Sequence, residues 1–264
     1  MNKLKSVFNT QLKKITIKYP KIVYVHVPKC AGSSVADSIL AGVYPKILTK
    51  TPLTTGIDIF SAAKIAELIQ IPEQKVRQVQ LLSVLQSANK IFVTGHCNVN
   101  PEVVTAYGSD WKFLTVLREP VQRYVSEYVY NTYKPENWKK NTLPIREYIE
   151  SEVGVSSGLC LSLYFSGLSQ ESILKNESFA IQKSIDNLKS FYSVGFLDDL
   201  NGWITNLNKT LNANIELKLT NRSPSRQVFD DIMGDVDLLN QLKSICRVDT
   251  EIFNTIKSIS NKKQ

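Results

Sequence analysis

The chain has 264 residues, of which 43% are hydrophobic, 9% aromatic and 21% charged. That balance excludes a wholly disordered or collagen-like polymer and leaves room for one large α/β domain or two small ones. Basic residues number 32 against 24 acidic, a net charge of +8, which favours an anionic partner. Part of the excess is a basic amino-terminal arm over residues 1–21, since Lys3, Lys5, Lys13, Lys14, Lys18 and Lys21 all precede the first acidic residue, Asp37. Cys30, Cys97, Cys160 and Cys246 form no Cys-x-x-Cys pair, and His26 and His96 are the only imidazoles. Neither a structural zinc site nor a His-rich metal site is expected, and the thiols read as reduced. The amino terminus lacks the apolar run of a secretory signal, and no stretch reaches the ~20 apolar residues of a membrane span. A soluble, cytoplasmic protein is expected.

In chain order, Ile22 to Val27 is a continuous β-branched and aromatic run ended by Pro28, as suits a strand buried on both faces of a parallel sheet. A helix carrying Val35, Ile39, Leu40 and Val43 follows the loop Pro28 to Ser33. Residues 45–58 hold two prolines, Gly56 and several threonines and read as loop. Helical segments are expected near 59–70 and 73–88. A second strand, Lys90 to Thr94, runs into Gly95-His96-Cys97. A third, Lys112 to Leu117, ends at Arg118-Glu119-Pro120, where another helix begins. Strand, loop and helix thus recur three times, which predicts a P-loop-like parallel sheet flanked by helices, a three-layer α/β/α arrangement. From 141 onward the pattern is mostly helical, with a strand candidate at Phe191 to Gly195 and long helical periods at 198–211 and 235–259. A single domain over 22–264 is expected.

In such sheets ligands sit beyond the carboxyl ends of the strands, and three of these ends carry chemistry. Lys29, Cys30, Ala31, Gly32, Ser33 and Ser34 form the first. Backbone N–H groups at a helix start bind oxyanions, Gly32 admits close backbone approach, and the serine hydroxyls add donors. The order is not that of a Walker A loop, because Lys29 precedes the glycine. A plain strand–helix turn with an N-capping serine is the bland alternative. Gly95-His96 is the second end. The third places Arg118 at a strand exit, with Ser126 eight residues on. Arginine there can hold a phosphate in a forked pair of bonds, or it can simply be salt-bridged. In the helix after Arg118, Val121, Val125, Tyr128, Val129 and Thr132 make the apolar stripe. Arg123, Ser126, Glu127 and Tyr130 make a second stripe that could face a ligand.

Taken together, HVPKCAGSS (His26 to Ser34), Gly95-His96 and FLTVLREPVQRYVSEY (Phe113 to Tyr128) resemble the sulfotransferases that use 3′-phosphoadenosine 5′-phosphosulfate (PAPS). The likeness is greatest to the carbohydrate branch typified by heparan-sulfate 2-O- and 6-O-sulfotransferases. Fainter similarity continues through FYSVGFLDDL (Phe191 to Leu200), NRSPS (Asn221 to Ser225) and VDTEIF (Val248 to Phe253). The resemblance implies that the loop through Ser34 holds the 5′-phosphosulfate, with Lys29 at the bridging region and Ser33 and Ser34 on the phosphate. It implies Arg118 and Ser126 as the 3′-phosphate site, Arg222 and Ser223 as nucleotide contacts, and His96 as general base. The Arg-Lys-Gly block of cytosolic small-molecule sulfotransferases is absent.

The function implied is sulfuryl transfer from PAPS to an acceptor hydroxyl on a saccharide, by in-line displacement and without a metal. Preorganised positive charge would supply most of the rate. An imidazole near pH 6.5 suits the base. His26, inside the first strand, is expected to pack internally. Glu102 and Glu119 are substitute bases whose positions at helix starts need no catalytic role. Lys139, Lys140 and Arg146 flank Trp138 in a loop that could meet an anionic acceptor, or could be plain solvated surface. Two other classes remain: a P-loop kinase-like phosphotransferase, disfavoured by the loop order and by Arg118, and a non-enzymatic module binding anionic polymer. No nucleic-acid-binding motif is present.

Overall fold

The structure is a computed structural model that describes residues 18–218 and 225–262. Its first half alternates strand and helix: β1 (Lys21–Val25), α1 (Gly32–Val43), β2 (Thr54–Gly56), α2 (Ile59–Ile69), α3 (Glu73–Leu85), β3 (Phe92–Gly95), α4 (Pro101–Tyr107), β4 (Trp111–Leu117) and α5 (Pro120–Tyr133). Short helices follow, α6 (Ile145–Glu150), α7 (Glu152–Gly158), α8 (Cys160–Phe165) and α9 (Gln170–Lys175), then the longer α10 (Glu177–Lys189). After β5 (Ser193–Phe196) and a 3₁₀ turn come α11 (Leu200–Leu211), α12 (Arg226–Gly234), α13 (Val236–Ile245) and α14 (Arg247–Asn261).

Local chemistry marks many of these boundaries. The Asp58 carboxylate accepts from the N–H groups of Phe60 and Ser61 at the start of α2, and the Asn100 side chain accepts from Val103 N–H at α4. Pro101 and Pro120 open their helices, where a missing N–H costs no helical bond. Glu119 caps α5 by accepting from Val121 and Gln122, which accounts for it without catalysis.

The five strands are all parallel, in the order β2-β3-β1-β4-β5. β1 therefore lies at the centre of the sheet, paired on both edges, and Ile22, Val23, Tyr24 and Val25 are almost wholly buried, as the unbroken apolar run requires. The chain leaving β1 goes toward β2, whereas the chain leaving β4 goes toward β5. A crevice opens between β1 and β4 where these directions part, the topological switch point at which ligands of open α/β sheets bind. Val25 is level with Gly95 on one side and with Thr115 on the other. The exits of β3, β1 and β4 thus stand side by side.

The largest core runs through the sheet and packs against α1, α8, α10 and α14; Val35, Ile39, Phe165, Ile185 and Ile252 belong to it. A second core joins α5 to α6, α12 and α13 through Val121, Tyr124, Val125, Tyr128, Tyr148, Phe229 and Leu242, the apolar stripe read from the sequence. Three expectations are corrected. The 45–58 stretch contains the short edge strand β2. The last strand begins at Ser193, because Phe191 turns into the core against Phe113 and Phe165. The 235–259 period is two helices, since Cys246 leaves helical geometry at φ −90°, ψ 6°.

Candidate functional site

β1 stops at Val25, whose carbonyl accepts from the Thr115 hydroxyl at 2.9 Å. The turn that follows holds two non-glycine residues in left-handed geometry, Lys29 (φ 64°) and Ala31 (φ 57°). Left-handed positions of this kind cost about 1–3 kcal/mol each and persist where surrounding structure enforces them. They also gather successive N–H groups into an anion-binding concavity. Ala31 caps α1 with no side-chain hydrogen bond, so the start of that twelve-residue helix offers its positive dipole end to the same place. Ser33 is exposed and Ser34 is buried.

Gly32 is required for a reason the sequence reading did not supply. A Cβ there would lie 1.7 Å from Cδ2 of His26. His26 is not inside β1, as expected, but just past its end, and its ring stacks on His96 with centroids 4.1 Å apart and an interplanar angle of 31°. The close approach that Gly32 permits is therefore to an imidazole. Gly95, at φ 153°, is tied as closely, since a Cβ would come within 2.6 Å of the Ile57 Cβ. Gly32 thus leaves room for the His26 ring, and Gly95 for Ile57.

His96 Nδ1 sits 2.8 Å from the His26 carbonyl. A carbonyl only accepts, so Nδ1 carries the hydrogen and Nε2 keeps its lone pair. Burial lowers the pKa of His96, opposed by its bond to the His26 carbonyl and reinforced by Arg77 and Lys29. His26 is held down to about 3, first by burial and then by His96 and Lys29. Both rings are neutral at pH 7, and His96 has the form a general base needs.

Lys29 lies over Tyr130, with Nζ 3.7 Å from the ring centroid, an attraction for its charged form. Burial nonetheless pulls its pKa to about 8, with Glu127 opposing and Arg118 and Lys134 adding repulsion. An anion bound beside it would restore the charge. Arg118 reaches across the switch point and donates from one terminal nitrogen to the Lys29 carbonyl at 3.4 Å; its Nε is buried with no hydrogen-bond partner among the described residues. The guanidinium also faces Phe229 of α12, 5.6 Å from the ring centroid. Ser126 is buried on α5.

Two members of the second stripe of α5, Arg123 and Glu127, are engaged inside the protein. Arg123 is wholly buried and donates to Glu127 at 2.7 Å and to the Ser157 carbonyl and hydroxyl, while that hydroxyl also donates to Glu127. The pair ties α5 to α7. Arg146 does not flank Trp138 either, because it is paired with Asp235 at the start of α13. Cys30 and Cys97 are buried, with thiols pushed up to about 12 by burial, which leaves them protonated. Glu102 pairs with Lys183 of α10. Arg222 and Ser223 lie outside the described residues.

Solved structures similar to this chain include a sulfotransferase from Alicyclobacillus acidocaldarius, at 14% identity over 90% of this chain and 96% of that one, with a TM-score of 0.43. A mouse sulfotransferase complexed with PAP is 14% identical over 91% of this chain and 88% of its own, with a TM-score of 0.44. Retinol dehydratase in complex with androsterone and inactive cofactor PAP is 13% identical over 86% and 79%, with a TM-score of 0.30. No protein-family model and no curated protein matches the sequence.

Two further groups border the site. Arg77 of α3, almost fully buried, donates to the His96 carbonyl and to Glu73. Lys134 is 5% exposed, donates to the Asn131 amide oxygen, and lies near the rings of Tyr130 and Trp138. Neither was legible in the sequence, because nothing in the local pattern of α3 or α5 signals contact with a distant loop. A separate apolar groove of about 690 Å³, lined by Glu119, Val121, Met233, Leu239 and Arg247 among others, contains none of Lys29, His96, Arg118 or Ser126.

Proposed function

We propose that the chain transfers a sulfuryl group from PAPS to an acceptor hydroxyl on a carbohydrate. The observation that carries this reading is the meeting of three strand exits at the switch point. His96 is bonded to the His26 carbonyl, Lys29 follows three residues on, and Arg118 is bonded to the Lys29 carbonyl. The donor's two anionic ends ask for two cationic grips, and this crevice has them. The turn at Lys29 and the start of α1 would receive the 5′-phosphosulfate, with Ser33 and Ser34 as added donors. Arg118, whose buried Nε lacks a partner among the described residues, would receive the 3′-phosphate together with Ser126.

The donor supplies the sulfuryl group and a phosphate leaving group. Lys29 stabilises the charge that grows on that leaving oxygen, in a desolvated setting where a cation acts strongly. His96 Nε2 takes the proton from the acceptor hydroxyl, while Nδ1–H and the His26 carbonyl hold the ring in place. The pH profile should have two limbs. In kcat/KM, which reports the donor-free protein, activity falls below a pH lower than 6.5 as His96 gains a proton, and falls again above about 8 as Lys29 loses its charge. The deciding experiment offers donor labelled in the sulfate, and separately ATP labelled in the γ-phosphate, to a panel of saccharides. Label moving from PAPS supports the reading, and label moving only from ATP replaces it with a kinase.

A further inference from the structure

An ion pair on α3, between buried Arg77 and partly exposed Glu73, connects the segment after α5 to His96. Arg77 is 6% exposed, and one terminal nitrogen donates to the His96 carbonyl at 3.4 Å. The other donates to the Glu73 carboxylate at 2.7 Å, and the same carboxylate oxygen accepts from Lys139 Nζ at 2.7 Å. Lys139 has a left-handed backbone (φ 51°) and follows Trp138, whose ring packs on Phe60 of α2 at 5.1 Å between centroids. Lys139 and Trp138 thus fasten the 134–140 segment to α2 and α3, and Arg77 carries that attachment inward to His96.

Stability is a poor reason for this arrangement. Taking a guanidinium out of water is costly, and an apolar residue of like volume often serves as well or better. Here the guanidinium is not fully satisfied, since its Nε is buried without a partner among the described residues. Yet its charge stands beside an imidazole whose proposed task demands the neutral form. The charged groups bearing on His96 are Arg77 from α3, Lys29 from the β1–α1 turn and Glu127 from α5, with the His26 ring stacked on it and the His26 carbonyl on Nδ1. Arg77 and Lys29 oppose protonation, whereas Glu127 favours it. Glu127 is engaged by Arg123 and Ser157, and Lys29 faces Tyr130.

We infer that Arg77 is a positioning residue for the proposed base: it holds the His96 backbone through the carbonyl, sets its charge beside that residue, and is itself held by Glu73 and Lys139. This rests on the sulfotransferase reading for the use made of His96, but the coupling is a property of the free protein. The test is therefore an NMR titration of the His96 ring in the ligand-free chain, followed by pH–rate profiles of donor turnover. Arg77→Met should raise the His96 titration by about half a pH unit or more and move the acid limb with it, and Arg77→Lys should hold both near the parent value. Lys139→Met, at the exposed end of the network, should lower kcat by about threefold or more without weakening adenosine 3′,5′-bisphosphate binding.

An unchanged His96 titration in a folded Arg77→Met protein would overturn the inference. So would equal effects of the Met and Lys replacements, or a Lys139→Met protein of parent kcat. If Arg77→Met does not fold, the Arg77→Lys titration and the Lys139→Met rate decide alone. A parent protein that turns over no donor, yet shows the titration shift, would remove the sulfotransferase reading and leave the coupling standing.

Discussion

At the scale of single residues, the His26–Gly32–His96 contact sets both stability and chemistry. His26 titrates at about 3 in the folded chain and near 6.5 when unfolded, so below pH 6.5 the unfolded chain takes up a proton that the native chain refuses. The contribution is complete above that pH and is lost as pH falls, at a limiting slope of about 1.4 kcal/mol per pH unit. Urea unfolding of the parent and of His26→Gln between pH 7 and 5 should show the parent's margin shrinking at nearly that slope; a constant margin would contradict the assignment. Gly32→Ala should cost about 1–3 kcal/mol through overlap with the His26 ring. His26→Ala in the same chain should recover part of that loss, because the two positions are in contact. The sequence showed Gly32 as a glycine that something must approach closely, but a ligand was as good a guess as an imidazole, since the partner is set by pairing of β1 with β3.

At the scale of elements, the strands were legible wherever apolar runs were long. The Ile22–Val27 run forms the central strand except that His26 and Val27 lie past its end, and KFLTVL and the helix stripe of Val121, Val125 and Tyr128 lie where their patterns put them. β2 has three residues and borrows its pairing from β3, so composition alone reads it as loop. The break at Cys246 is equally silent, because hydrophobic periodicity continues across it. Asp249, one turn further on, accepts from the N–H groups of Leu161 and Ser162 at 2.6 and 3.0 Å and so caps α8 from another helix. Burial raises this carboxyl to about 6 against the pull of those two N–H bonds. Asp249→Ala would orphan two buried donors and should lower stability by about 2–4 kcal/mol, read as a fall in Tm with little change in nucleotide affinity. A Tm within a degree or two of the parent's, for a cost of that size, would show that α8 does not depend on this cap.

For the molecule as a whole, function follows from strand order. With β1 between β3 and β4, the proposed base, the turn at Lys29 and Arg118 are brought side by side by the exits of three strands. The positions of those turns were legible because each follows a strand-like apolar run. The second-layer contacts, Arg77 on His96 and Arg123 on Glu127, were not, because they join elements only through the tertiary fold. The measurement that bears most directly on the account is calorimetric titration with adenosine 3′,5′-bisphosphate and, in parallel, adenosine 5′-monophosphate. The parent protein should prefer the bisphosphate by about tenfold or more, the worth of one charge-assisted contact, and Arg118→Ala should erase that preference while retaining the monophosphate. Equal affinity for the two nucleotides, or a preference that survives the loss of Arg118, would contradict it.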